Sequence, residues 1–202
     1  MGETTTELAD GGLLRVVQGW LSDEETWGMF RALEHEVPWA QETIRMGARE
    51  ILQPRLTAWI GDPEARYTYS RRTFTPQPWT PTLQALRDRL NREADARFNS
   101  VLANLYRDGQ DSMGWHADKE RELGPNPLIA SVSLGGTRRF LLRHQKKSAP
   151  GVGLDLEDGS LLWMSGTTQH FWRHAVPKTK RPVAPRINLT FRRILSEDEL
   201  SP

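Results

Sequence analysis

A histidine and an aspartate two positions apart are the residues best suited to do chemistry in this sequence. His116 and Asp118 lie in SMGWHADKERELG (112–124), separated by Ala117. In an extended segment, side chains two positions apart point to the same face, so the imidazole and the carboxylate can bind one metal ion. Two histidines and one carboxylate with open positions are typical of non-haem iron(II) oxygenases. A solvated turn is the alternative, because such triplets also occur by chance.

A site of this kind needs a second histidine. The segment HFWRHAVP (170–177) supplies His170 and His174, and their residue type alone does not choose between them. The chain has no cysteine, so disulfides and thiolate ligands are excluded and any metal must bind nitrogen and oxygen.

The strand RINLTFR (186–192) has one polar and one apolar face. The polar face carries Arg186, Asn188, Thr190 and Arg192, and the apolar face carries Ile187, Leu189 and Phe191. Two arginines that face inward are costly to bury unless an anion pairs with them. They lie roughly 20 Å apart along an extended strand, and side chains leaning inward leave a gap that suits a small dicarboxylate. The alternative is a sheet edge at which both arginines face water.

A similar polar face occurs in NLYR (104–107), just before the histidine–aspartate pair. Asn104 and Tyr106 alternate inward and can donate hydrogen bonds to the same acid. A satisfied polar pair on a half-buried strand is the alternative.

The elements that must position these residues are mostly strands. Two helices are predicted, one capped by Ser22 or Asp23 and ending at Pro38, the other starting near Thr80 with Pro81 in its first turn. From residue 98 onward, short strands rich in branched and aromatic residues follow one another, separated by Gly- and Pro-containing breaks: 100–106, 129–134, 138–144, 160–165 and 186–194. This spacing predicts a barrel or double-sheet jelly roll with the two helices against one sheet.

Length and composition favour a single soluble domain. Of the 202 residues, 37% are hydrophobic and 26% are charged, and no run approaches the ~18 apolar residues of a membrane helix. No signal peptide is evident, so cytoplasmic residence is the expectation. Residues 1–12 are small and polar and are predicted to be disordered, which leaves 13–202 as one domain.

Charge is unevenly distributed along the chain. Residues 1–50 are net acidic and residues 51–202 net basic. Lysines and arginines cluster in RRFLLRHQKK (138–147) and KTKRPVAPRINLTFRR (178–193). A basic face suits a polyanion such as nucleic acid, and an ordinary solvated surface is the alternative.

Taken together, these motifs resemble the AlkB family of Fe(II)- and 2-oxoglutarate-dependent dioxygenases. The resemblance is carried by PRLTAWIGDPEARYTYS, NLYRDGQDSMGWHADKE, IASVSLGGTRRFLLRH, GSLLWMSGTTQHFWRHAVP and PRINLTFR, in that order, over about residues 50–194. It implies a double-stranded β-helix, or cupin-like jelly roll, in a mostly β protein with flanking helices. It is closest to members that act on single strands.

The resemblance also implies roles for individual residues. The iron ligands would be His116, Asp118 and His174, the last chosen over His170 because the family ligand directly precedes the AVP turn. The 2-oxoglutarate contacts would be Asn104, Tyr106, Arg186, Asn188 and Arg192, with Arg186 on the distal carboxylate and Arg192 nearer the iron. Fe(II), 2-oxoglutarate and O2 would together oxidise an N-alkyl carbon of a base. The oxidised carbon would then leave as formaldehyde and restore the base.

The implied substrate is a base flipped out of its stack in DNA or RNA, such as 1-methyladenine or 3-methylcytosine. The resemblance places Tyr69 against that base, with Tyr67 on the same strand face, while Glu120 would bond the base edge and Arg55 the base or a phosphate. Tyrosines in an ordinary sheet and solvated charges are the alternatives. Where duplex-specific members have a bulky apolar finger, Met46-Gly47-Ala48 has no aromatic residue, which favours single strands.

Two other functions fit the same motifs. One is the same iron chemistry on a protein or small molecule, and the other is a nucleic-acid-binding module without a metal. A monomer without membrane association is expected in each case. Among the remaining large side chains, Trp20, Trp27, Trp59 and Trp163 are predicted to lie in the core, His35 and His144 at the surface, and Trp115 away from catalysis.

Overall fold

The computed structural model describes residues 2–46, 49–69 and 72–200. Its strands are β1 (Gly2–Leu8), β2 (Gly12–Gln18), β3 (Thr43–Met46), β4 (Arg49–Leu52), β5 (Leu56–Gly61), β6 (Tyr67–Tyr69), β7 (Arg72–Phe74), β8 (Ser100–Tyr106), β9 (Met113–His116), β10 (Ile129–Gly135), β11 (Arg138–His144), β12 (Val152–Leu156), β13 (Leu161–Gly166), β14 (Trp172–Val176) and β15 (Arg186–Arg192). Its α-helices are α1 (Asp23–Glu36), α2 (Pro81–Ala94), α3 (Thr168–Phe171) and α4 (Glu197–Leu200).

Two antiparallel sheets form the predicted jelly roll. The larger sheet has the order β1-β2-β13-β10-β15-β8-β5, and the smaller has the order β12-β11-β14-β9. Two hairpins, β3-β4 and β6-β7, lie outside both sheets in the strand pairing. Every neighbouring pair in the two large sheets is antiparallel. The mostly β architecture with flanking helices is therefore confirmed.

The two faces of the larger sheet have different neighbours. One face packs against α1 and α2 in an apolar layer that includes Leu33, Leu86, Val101, Ile187 and Leu189. The other face looks into the space between the sheets, where a second apolar cluster is formed. Because side chains alternate along a strand, the polar face of β15 points into this space and its apolar face points towards the helices.

Both predicted helices form with the expected caps. The Ser22 side chain accepts a hydrogen bond from the Glu25 backbone (3.2 Å), and the Glu25 carboxylate accepts one from Ser22 N (2.8 Å). Thr80 caps α2 through Leu83 N, and Pro81 occupies its first turn. Such caps satisfy backbone donors that the first helical turn leaves unpaired. Within the described ranges, no helix has both the length and the apolar character needed to cross a membrane.

The predicted disorder of residues 1–12 is wrong for most of that segment. Gly2–Leu8 form β1, which pairs with β2 from Gly2↔Gln18 to Leu8↔Gly12. Asp10 and Gly11 both have positive φ, the backbone that a tight hairpin turn requires. An Asp-Gly pair next to β-branched threonines is a hairpin signal, and the polar composition concealed it.

Two predictions about burial are also wrong. Trp27 is 67% exposed, because it lies on the solvent side of α1 with the Arg31 guanidinium 5.7 Å from its ring centroid. His144 is only 3% exposed, because its ring packs edge-on against Trp172 and stacks on Phe171. Trp20 and Trp163 lie in the core as predicted, His35 is exposed, and Trp59 is half-buried.

Candidate metal centre and interior pocket

Two strands of the smaller sheet bring the two histidines together. His116 ends β9 and pairs directly with His174 on β14, and their ring centroids lie 4.2 Å apart. Asp118 follows two residues after His116, with its Oδ1 4.0 Å from His116 Nε2. One ligand atom from each of the three residues lies within 4.8 Å of the other two. Two imidazoles and a carboxylate at this spacing can hold one metal ion.

The carboxylate of the triad is buried and remains ionised. Asp118 is 4% exposed, and Arg192 Nη2 donates a hydrogen bond to its Oδ1 at 2.9 Å. Burial alone would raise the pKa of Asp118, but the positive charge of Arg192, with the two histidines, lowers it below its ordinary value. The other oxygen, Oδ2, has no hydrogen-bond partner within the described chain. A buried carboxylate oxygen without a partner is costly, and a metal ion would satisfy it.

Both histidines are oriented for metal binding. Burial, together with repulsion from His116, lowers the pKa of His174 to about 3, so its imidazole is neutral at physiological pH. His116 Nδ1–H donates a hydrogen bond to the carbonyl oxygen of Gly114 at 2.8 Å, which leaves Nε2 directed towards Asp118. Such a carbonyl contact fixes the tautomer and orientation of a metal-binding histidine.

An interior pocket extends from the triad into the space between the sheets. Its walls combine inward residues of β8 and β15 with residues of the smaller sheet: Leu102, Asn104, Tyr106, Met113, Ser131, Phe140, Met164, Ala175, Val176, Arg186, Asn188, Thr190 and Arg192. The predicted inward faces of NLYR and RINLTFR are therefore both found lining it.

The far end of this pocket holds a buried cation. Arg186 is 1% exposed, and of its guanidinium nitrogens Nη2 donates to Ser133 Oγ at 2.9 Å while Nε and Nη1 have no partner in the described residues. Burial, opposed in part by Tyr106, lowers its pKa to about 10, so the group stays charged at neutral pH. A buried guanidinium with two free donors calls for an anion, and a carboxylate matches its planar fork.

The amides in the pocket are held by neighbouring side chains. Arg55 Nε donates to Asn104 Oδ1 at 2.7 Å, and Asn188 Nδ2 donates to Ser131 Oγ at 2.8 Å. Thr190 Oγ1 donates to Asn188 Oδ1 at 3.2 Å. These bonds fix the orientation of both asparagines before any ligand binds.

A side cavity adjoins the interior pocket. It is lined by Trp59, Ser100, Leu102, Glu120, Glu122, Leu123, Arg192 and Ile194, and it shares Leu102 and Arg192 with the interior pocket. An aromatic wall and two carboxylates make this cavity suitable for a flat group with positive charge.

Several predicted site residues take distinct positions around the triad. His174, not His170, faces His116, while the His170 ring contacts the carbonyl of Pro125 at the surface. Arg192 donates a hydrogen bond to the Asp118 carboxylate. Arg55 is 7% exposed and bonded to Asn104, a position that argues against the predicted contact with base or phosphate.

Three predicted substrate features fall partly outside the described residues. Tyr67 and Tyr69 are the first and last residues of β6, but their side chains lie outside the described part of the chain. Of Met46-Gly47-Ala48, residues 47 and 48 and the Met46 side chain also lie outside it. Trp115 stacks with Arg143 at 4.2 Å, away from the residues that line the pocket.

Sequence reasoning missed four residues that support the site. Gln169 Oε1 accepts a hydrogen bond from Asp118 N at 3.0 Å, and Ser131 and Ser133 hold Asn188 and Arg186. Arg138 packs near Tyr106, with its guanidinium 5.4 Å from the ring centroid. The alternation of IASVSLG would have placed the two serines on one face of β10, but Gln169 and Arg138 gave no comparable signal.

Comparison with known proteins agrees with the site. Residues 13–192 match the model of the 2OG-Fe(II) oxygenase superfamily. The chain is 42% identical to mouse "Alpha-ketoglutarate-dependent dioxygenase alkB homolog 3", over 96% of this chain and 71% of that protein. It is 43% identical to mouse "DNA oxidative demethylase ALKBH2", over 83% of this chain and 74% of that protein.

A solved structure shares the fold. The structure of OsALKBH1 superposes with a TM-score of 0.59 at 20% identity, covering 94% of this chain and all of that one. The family model spans most of the chain, and the mouse relatives are well above 30% identical. The chain therefore belongs to the AlkB family of Fe(II)- and 2-oxoglutarate-dependent dioxygenases.

Proposed function

We propose that this protein oxidatively demethylates N-alkylated bases of the 1-methyladenine and 3-methylcytosine type in single-stranded nucleic acid. One observation carries the proposal: the metal triad lines an interior pocket that shares Leu102 and Arg192 with a second cavity. The interior pocket contains an unpaired guanidinium that suits a carboxylate, and the side cavity contains two carboxylates that suit a cationic base. The names of the alkB homolog 3 and ALKBH2 relatives support the same activity.

The interior pocket has residues suited to hold both Fe(II) and 2-oxoglutarate. His116, Asp118 and His174 would hold Fe(II), which together with 2-oxoglutarate and O2 supplies the power to oxidise an N-methyl carbon. Arg186 would pair with the distal carboxylate of 2-oxoglutarate, with Tyr106 beside it. The protein contributes fixed donors, a rigid pocket and the exclusion of water.

The side cavity would receive the alkylated base. Alkylation at N1 of adenine or N3 of cytosine leaves the base positively charged, and Glu120 and Glu122 provide the opposite charge. Trp59 lines the same cavity and provides a flat apolar surface. Tyr69 and Tyr67 remain the residues that we expect to stack on or near the flipped base.

The phosphate backbone would bind a basic groove, which we define as Thr137, Arg138, Arg139, Asp155, Glu157, Pro177, Lys178, Thr179, Arg181, Pro182 and Val183. Lys178 and Arg181 line it, are exposed and suit phosphate contacts. We further propose that residues 2–200, with β1 as part of the larger sheet, act as one monomeric domain in the cytoplasm. The lack of an aromatic residue in Met46-Gly47-Ala48 supports a preference for single strands.

The proposal is tested by formaldehyde release from a single-stranded oligonucleotide that contains 1-methyladenine, with Fe(II), 2-oxoglutarate and ascorbate. Asp118→Ala serves as the control without a complete triad. We expect release by the wild type only, and faster release from the single strand than from the matched duplex.

Two results would contradict the proposal. If 2-oxoglutarate is consumed by the wild type and no formaldehyde appears from any alkylated oligonucleotide, the substrate is a protein or a small molecule. If the duplex reacts as fast as the single strand, the strand preference is wrong and the base chemistry stands.

A further inference from the structure

Beside Tyr106, which lines the interior pocket, lies a second buried cation that the metal and cosubstrate assignments do not use. Arg138, the first residue of β11, is 3% exposed. Its guanidinium donates to three backbone carbonyls, those of Asp108 (3.0 Å), Asp111 (2.8 Å) and Pro177 (2.8 Å). These bonds hold the group firmly in place, but carbonyl oxygens carry only partial negative charge.

Arg138 and Arg186 both lie close to the same phenol ring. Their guanidinium carbons are 5.4 Å and 5.3 Å from the ring centroid of Tyr106. Two buried positive charges around one side chain repel each other, and repulsion from Arg138 contributes to the lowered pKa of Arg186.

No full negative charge in the described residues pairs directly with either guanidinium. The nearby Asp111 carboxylate is already bound by Arg107, through Nε at 2.8 Å and Nη2 at 2.9 Å. Asp108 uses its carboxylate to accept a hydrogen bond from Gln110 N. Coulomb attraction to Asp111 and Asp108 stabilises the Arg138 guanidinium in part, but neither carboxylate forms an ion pair with it. An anion that enters the pocket would therefore be attracted by both buried cations.

We propose that Arg138 is a positioning residue that sets the selectivity for a dicarboxylate cosubstrate. It supplies a second positive charge on the Tyr106 ring that it shares with Arg186, the residue that would bind the distal carboxylate of 2-oxoglutarate, and it keeps Tyr106 in place. This inference rests on the proposed cosubstrate assignment. It predicts that the distal carboxylate contributes more to binding than one arginine alone could provide.

The test compares two cosubstrates that differ only at the distal end. Dissociation constants for 2-oxoglutarate and for 2-oxopentanoate, which lacks the distal carboxylate, are measured by visible absorbance of the Fe(II) protein under nitrogen. We expect Arg138→Gln to weaken 2-oxoglutarate about tenfold and to leave 2-oxopentanoate unchanged, because only the former carries the charge that Arg138 attracts. Arg138→Lys keeps the charge and should keep most of the selectivity.

The control is Arg31→Gln, which removes an exposed arginine of α1 that pairs with Glu34 at 3.5 Å. It should change neither constant. Equal weakening of both cosubstrates by Arg138→Gln, or loss of selectivity in folded Arg138→Lys, would overturn the inference and leave Arg138 as a clamp on the surrounding loops. If Arg138→Gln fails to fold, the Lys variant decides between these outcomes. Failure of the wild type to bind 2-oxoglutarate would instead refute the proposed function.

Discussion

Arg192 Nη2 donates to Asp118 Oδ1 at 2.9 Å, so the last residue of β15 directly holds the carboxylate of the metal triad. The family resemblance implies a contact between Arg192 and 2-oxoglutarate. In the structure Arg192 is a neighbour of a metal ligand, and it keeps that ligand ionised and fixed in orientation.

Arg192→Met should therefore weaken metal binding. Removing a partner that orients a metal ligand typically reduces affinity by about 10–100-fold, and we expect a decrease in this range for Mn(II) measured by calorimetry. Arg193→Met is the control, since Arg193 contacts Glu199 at the surface. Unchanged Mn(II) affinity with weaker 2-oxoglutarate binding would show that Arg192 acts on the cosubstrate, as the family resemblance implies.

Glu120→Gln should affect cationic bases selectively. The carboxylate of Glu120 lines the side cavity and is exposed, so its attraction to a charged base is screened by water. We expect KM for 1-methyladenine oligonucleotides to rise about three- to tenfold, and KM for the neutral base 1-methylguanine to stay the same. Steady-state formaldehyde release measures both. An equal rise for the two bases would mean that Glu120 shapes the cavity rather than supplying its charge.

Removing basic side chains from the basic groove should weaken nucleic-acid binding to a similar extent for all nucleotide sequences. Lys178→Ala and Arg181→Ala each remove a cation that lines this groove. Each variant that eliminates one phosphate interaction should reduce the slope of log K against log salt by about 0.7 for a single strand. Fluorescence anisotropy with a labelled oligonucleotide at several salt concentrations gives this slope. Arg31→Ala, on the helix that carries Trp27, is the control, and an unaltered slope in both groove variants would place the backbone elsewhere.

The metal site could be predicted from the sequence because its residues are adjacent or follow strand alternation. His116 and Asp118 are two positions apart, and Arg186 and Asn188 share one face of a single strand. The choice between His170 and His174 needed either the family resemblance or the strand pairing, because both residues are histidines within one short segment.

Contacts between distant segments could not be predicted in this way. The bond from Arg55 to Asn104 joins a residue just before β5 to one on β8, and nothing in either segment indicates the partner. The same holds for the hydrogen bond from Asp118 N to Gln169 Oε1, which depends on how α3 packs beside the segment that carries Asp118. Pairing of this kind is set by tertiary packing, whereas alternation and capping are local.

The N-terminal hairpin is fastened to the rest of the fold at its turn. Asp10 Oδ2 lies 2.9 Å from His144 Nε2, and Trp172 Nε1 donates to the carbonyl of Ala9 at 3.1 Å. Asp10→Gly keeps the positive φ accessible and removes the carboxylate, so amide hydrogen exchange in residues 2–8 should accelerate. Asp10→Asn retains an acceptor for His144 and should behave like the wild type. Equal exchange in all three proteins would show that backbone pairing alone holds β1.

Asp111 should make the stability of the fold depend on pH in the acid range. Burial by itself would raise its pKa, but the hydrogen bonds from Arg107 lower it below the ordinary value of 3.8. A carboxyl group with a lowered pKa in the folded state stabilises the protein above its unfolded pKa, and this contribution disappears as the pH falls through the folded value.

Asp111→Asn should therefore reduce the free energy of unfolding at pH 7 by about 1–2 kcal/mol, at the lower end for a charged hydrogen bond because Arg107 is half-exposed. The difference from the wild type should shrink as the pH falls from about 4 towards 2, since the wild-type carboxyl group is then protonated as well. Urea unfolding at several pH values measures this. Asp155→Asn, which breaks an exposed pair, should cost less than about 0.5 kcal/mol throughout. A deficit for Asp111→Asn that persists unchanged at low pH would mean that the substitution acts through packing and not through the charge.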